Sequence, residues 1–131
     1  MDIKEVPAFP NPGVRLIKED DHIAIFEEIF EPGKPTDAHR HTRDYVAFFP
    51  KAGEATLVAV AGDPEEVTIA AGEVKDLPVK TRGTRFGIAA GTVFYGHVPP
   101  DGTAHFAVDE GSDPLPMILV EIKGTGVEKA K

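Results

Sequence analysis

His39 and His41 lie two residues apart in Gly33-Lys-Pro-Thr-Asp-Ala-His39-Arg-His41, and His105 follows far downstream in Pro100-Asp-Gly102-Thr-Ala-His105. On a strand, residues i and i+2 point to the same face, so the two imidazoles converge on one point. A third imidazole from a distant strand closes three sides of a divalent-metal site and leaves positions open for substrate or water. An open site of this kind goes with chemistry rather than with a structural metal. Three neutral imidazoles suit Fe, Zn, Ni, Cu, Co or Mn, and residue type does not choose among them. The competing reading is a barrel that uses these histidines for hydrogen bonds alone. With only five histidines in the chain, the coincidence of three favours bound metal.

Other chemistries are excluded by what the chain does not contain. It has no cysteine, which removes disulfides, thiolate metal sites, iron–sulfur clusters and cysteine nucleophiles. The single serine, Ser112, sits in a turn signal with no nucleophile-elbow pattern. No glycine cluster opens a helix to cradle a phosphate. A net charge of -8, with its 14 basic residues scattered, argues against nucleic acid as a partner. No apolar run approaches the roughly 20 residues that span a bilayer, and the first residues lack the blocks of a signal peptide. A cytoplasmic protein is expected.

The elements that must position the histidines are short strands. Turn signals recur about every ten residues, among them Pro12-Gly13, Pro32-Gly33, Gly62-Asp-Pro64, Ala71-Gly72, Arg82-Gly83, Ala90-Gly91 and the run from Pro99 to Gly102. Between them, segments rich in Val, Ile, Phe and Thr predict strands over 14–18, 22–30, 43–49, 55–60, 66–70, 85–89, 92–95 and 117–123. Strands at that spacing, with no room for a helix of ordinary length, read as an all-β antiparallel sandwich or barrel. The 131 residues are read as one domain, with 1–13 as an N-terminal arm and 124–131 as a frayed tail. Carried through from 39 to 49, alternation puts His39, His41, Tyr45, Ala47 and Phe49 on an inward face, and Arg43 breaks it. A bulge, a place at the barrel mouth, or an acidic ligand would each explain Arg43.

These residues resemble the cupin family. Gly33 to Gly53 is similar to its first motif, G-x5-H-x-H-x3,4-E-x6-G, and Pro100 to Asp109 to its second, with Pro100, Gly102 and His105 in register. The likeness runs over nearly the whole chain from about residue 14, including an ending like the last hairpin of small single-domain cupins. It implies a cupin-type antiparallel β-barrel (a double-stranded β-helix, or jelly roll), a homodimer and a metal held by His39, His41 and His105. The chain departs from the pattern where the family's glutamate ligand falls, which is Tyr45 or Val46 here. Asp44, one residue early, faces away from the histidines unless the strand is bulged. The family's asparagine is Asp109, which is read as the cap of the turn that follows it.

The resemblance to three-histidine cupins points to a dioxygenase-like centre, with iron favoured, acting on a small oxygen-bearing organic molecule. A non-redox isomerase or lyase using Zn or Ni is the alternative, and a small-ligand-binding barrel without catalysis is a third. Tyr45 is read either as a phenol donating to a bound oxygen or as an aromatic filling the barrel floor. Glu121 is a candidate base or fourth ligand, sharing a face with Met117 and Leu119, though an exposed glutamate is the commoner outcome. His97 and His22 are read as surface residues, and Phe30, Phe48, Phe49, Phe86 and Phe94 as core. The apolar stretch Val6-Pro-Ala-Phe9-Pro is expected to add to a partner's sheet edge.

Overall fold

A computed structural model describes residues 2–61, 66–69 and 84–130. The turn signals at 62–64, 71–72 and 82–83, and residue 70 of the expected strand 66–70, lie outside them. Among the described residues, ten strands account for nearly all the regular structure: β1 (Arg15–Glu19), β2 (Ile23–Phe30), β3 (His39–His41), β4 (Tyr45–Phe49), β5 (Gly53–Ala61), β6 (Glu66–Ile69), β7 (Thr84–Ile88), β8 (Thr92–His97), β9 (Thr103–Asp109) and β10 (Leu115–Ile122). They form two antiparallel sheets, one of order β1-β2-β10-β4-β8-β6 and one of order β3-β9-β5-β7.

Alternation decides which side chains face the space between the sheets. Along β2 the buried residues are Ala24, Phe26, Glu28 and Phe30, and along β10 they are Leu115, Met117, Leu119 and Glu121. The apolar members of these rows make one core with Ala47, Phe49, Phe86, Ile88 and Phe94. The shared period of two is what lets a single interior form, since a one-residue slip would turn every one of these groups outward. Phe48 is the exception among the expected core phenylalanines. It falls on the outer phase of β4 and is 38% exposed.

The expected inward row from 39 to 49 is real, but it belongs to two strands. The chain leaves one sheet after His41 and enters the other at Tyr45, and 42–44 make the crossing. Arg43 is at that corner, where its guanidinium pairs with Glu121 Oε1 at 3.1 Å and Glu128 Oε2 at 2.7 Å. Strand β9, which carries His105, is missing from the expected segments because two Ala and a His dilute its β-propensity signal.

Both ends of the chain are tied down. Phe9 N donates to Arg40 O at 2.9 Å and Arg40 N to Pro7 O at 2.8 Å, so the N-terminal arm pairs with β3 of its own chain, in place of the partner's edge expected for it. Val6 and Phe9 are thereby buried. At the other end, the expected fraying of 124–131 is opposed in 124–130 by several bonds. Val127 N donates to Thr42 O, Asp44 N to Thr125 Oγ1, and Glu128 pairs with Arg43. No helix among the described residues is long and apolar enough to cross a membrane.

Candidate metal centre

Strands β3 and β9 are neighbours in register, with His39 opposite His105 and His41 opposite Thr103. Gly102 immediately precedes the second of them. Its φ of +86° suits a residue without a side chain, and a Cβ there would lie 2.9 Å from His41 O. The turn is closed by Gly102 N donating to Pro99 O at 2.8 Å. The Pro100-Asp-Gly102 segment therefore lets β9 come close enough to β3 to bring the third histidine beside the first two.

The three rings form a near-equilateral triangle, with centroids 4.9, 4.8 and 4.8 Å apart. One nitrogen from each lies within 4.8 Å of the others, and all three residues are buried. His41 Nε2 and His105 Nε2 are 3.1 Å apart. Adjacent ligands on an ion with metal–nitrogen bonds of about 2.0–2.1 Å sit roughly 3.0–3.4 Å apart, so the spacing of that pair fits. His39 Nδ1 donates to Asp37 O at 2.8 Å, which leaves its Nε2 lone pair for the ion. His41 Nδ1, the nitrogen turned away from this group, is buried without a partner among the described residues.

Electrostatics keep the donors competent. Burial, reinforced by the charge of His105, holds the His39 imidazolium pKa down to about 3. The same causes hold His41 well below the usual range. A ring that stays neutral keeps the lone pair a metal needs.

The histidines line a cavity of about 90 Å³ whose other walls are chiefly Phe9, Phe30, Ala47, Phe49, Phe86, Ile88, Phe94, Met117 and Leu119. Tyr45 lies among them, stacked on His41 with ring centroids 4.4 Å apart. Its ring occupies the space over Gly96, where any Cβ would collide with it. Phe9 covers the other side of the centre, 4.9 Å from the His41 ring.

The remaining candidates are placed elsewhere. Glu121 is buried, yet it does not line the cavity and its carboxylate is engaged by Arg43, so an ion pair replaces the expected base or fourth ligand. Burial pushes its pKa up while Arg43 opposes that rise. Asp44 faces away from the histidines, as alternation required, and accepts from Val98 N and Tyr95 Oη at 2.8 Å each. Asp109 caps its turn through Gly111 N at 2.8 Å. His97 and His22 are exposed.

Two site residues escaped sequence reasoning. Phe9 was assigned to an interface, and nothing in its neighbourhood signals a return to β3. Glu28 had a usable signal: it interrupts the apolar row Ala24, Phe26, Phe30 at the inward phase of β2.

Comparison with solved structures identifies the architecture. The chain is similar to a cupin domain from Bordetella pertussis Tohama I, at a TM-score of 0.58 and 19% identity, covering 88% of this chain and 99% of that one. It is also similar to the Mn(II)-containing oxalate decarboxylase of Bacillus subtilis, at 0.54 and 20%, covering 91% of this chain but 28% of that one. The chain has the cupin fold. No family model matches the sequence, and no curated protein does. His39, His41 and His105 form a group that could hold a divalent metal, and Tyr45 lies beside it.

Proposed function

We propose that this cupin is a metal-dependent enzyme acting on a small oxygen-bearing organic molecule through a three-histidine, dioxygenase-like iron centre. The observation that carries the reading is the convergence of His39, His41 and His105 on the wall of an apolar cavity, with no carboxylate in the group. A bound divalent ion would supply Lewis acidity, and as iron also a redox partner for O2. The chain's own residues do the rest. Asp37 O orients His39, the Tyr45 ring braces His41, and Phe9 with the aliphatic walls excludes water. Tyr45 is the proposed proton donor to a bound oxygen, in keeping with its place against His41.

The second reading is a Lewis-acid lyase or isomerase, favoured by the likeness to a manganese-containing oxalate decarboxylase. Oxalate as substrate would depend on the divalent ion for its positive partner, since no Lys or Arg is among the described cavity residues.

The test is O2 consumption by Fe(II)-loaded protein with β-diketones, thiols and catechol-like acids, beside Zn(II)-loaded protein. Uptake that needs iron, and is lowered about tenfold or more in Tyr45→Phe at unchanged iron content, is expected. Substrate turnover by the zinc form without O2 would transfer the weight to the lyase reading.

A further inference from the structure

The cavity has one carboxylate among its described lining residues, Glu28, and neither the fold nor the metal reading uses it. Glu28 belongs to the six-stranded sheet, opposite Met117 in the register of β2 and β10, whereas the histidines belong to the four-stranded sheet. The carboxylate and the three imidazoles thus approach the same cavity from opposite walls. Glu28 is 6% exposed and does not join the histidine group.

Its surroundings hold it in place but do not neutralise it. Asn11 Nδ2 donates to Glu28 Oε2 at 3.0 Å, and Asn11 is itself 5% exposed. Among the described residues, that is the carboxylate's hydrogen bond, and it engages one oxygen of the two. Among the described residues, no Lys or Arg lines the cavity to pair with it. Burial accordingly pushes its pKa up, against the hydrogen bond from Asn11 and the nearby charge of His105. A carboxylate in an apolar wall is costly unless it is hydrogen-bonded, and a group kept in that position has a free acceptor to offer.

We propose that Glu28 orients the substrate by accepting a hydrogen bond from an N–H or O–H of a ligand whose chelating oxygens face the three histidines. The inference rests on the metal-centre reading and narrows it to a substrate class. The ligand is a compact molecule with two chelating oxygens, a hydrogen-bond donor beside them, and an otherwise apolar body. Analogues that carry a methyl group in place of the donor leave the carboxylate unpaired and are discriminated against.

Acetylacetone and acetoacetamide make a matched pair of probes. Both chelate through two oxygens, and they differ by a methyl group where the amide carries NH2. Cobalt(II)-loaded wild type, Glu28→Gln and Glu28→Leu are titrated with each, following the visible absorption of the cobalt, and cobalt content is measured in all three. The expected result is full cobalt content throughout, with the preference for acetoacetamide over acetylacetone falling about tenfold or more from wild type to E28L. E28Q, isosteric and still an acceptor, falls between them and keeps the comparison readable if E28L does not fold. An unchanged preference in both variants overturns the proposal, as does failure of the wild type to bind either probe. Cobalt lost from the variants alone makes Glu28 a metal ligand and also overturns it. Cobalt absent from wild type itself defeats the metal-centre reading, and this inference falls with it.

Discussion

At the residue scale, the centre depends on His39 and His41 staying neutral where they are buried, and this has a consequence for acid stability. The folded state holds the His39 pKa down to about 3 from an ordinary 6.5, so below that ordinary value the unfolded chain binds protons the folded chain refuses. Stability is therefore fully present above pH 6.5 and is lost as pH falls toward 3. Metal-free protein should melt at progressively lower temperature across that window, and His39→Gln should show a shallower decline. A wild-type melting temperature that does not fall with pH would contradict the environment described for His39. The three-histidine cluster was legible from residue types, because i, i+2 spacing on a strand and the Pro-x-Gly-x-x-His segment are local patterns. Glu28 and Phe9 were less so. Alternation tells which face a side chain joins, but not which part of a cavity it reaches or what crosses over it.

At the element scale, two glycines and one alternation carry the geometry. Gly102, at φ +86° with His41 O close by, allows β9 to meet β3. Gly102→Ala should cost about 2–3 kcal/mol in urea unfolding, since a left-handed alanine costs 1–2 and crowding adds to it. Gly96 makes room for the Tyr45 ring. On β4, Phe49 is buried and Phe48 is 38% exposed. Phe49→Ala should then cost about 3–5 kcal/mol, and Phe48→Ala less than half as much. Equal losses at the two positions would mean that the register of β4 is not the one described. The sequence pattern merged β3 with β4 because the inward phase runs unbroken from 39 to 49, and only the pairing partners reveal that 42–44 change sheets. Glu121 is the counterpart case. It shares the inward face with Met117 and Leu119, but its position next to Arg43 depends on that corner, which no local pattern encodes.

At the scale of the whole molecule, two sheets enclose a cavity, and Phe9 of the N-terminal arm packs against His39 and His41 of its own chain. The outer face of the larger sheet leaves Ile29 51% and Phe48 38% exposed. A homodimer that buries this face is our expectation, and light scattering of Ile29→Lys/Phe48→Lys should then report a folded monomer beside a dimeric wild type. Wild type that is itself monomeric would contradict it. The account as a whole stands on the metal. Its most direct test is elemental analysis of untagged, chelator-free protein, purified and then reconstituted with Fe(II) or Zn(II), beside His41→Ala and His105→Ala. About one divalent ion per chain in wild type, with most of it lost in both variants while they remain folded, is the predicted result. Wild type that takes up no metal, or variants that hold as much as wild type does, would contradict the claim that these three histidines form a metal centre.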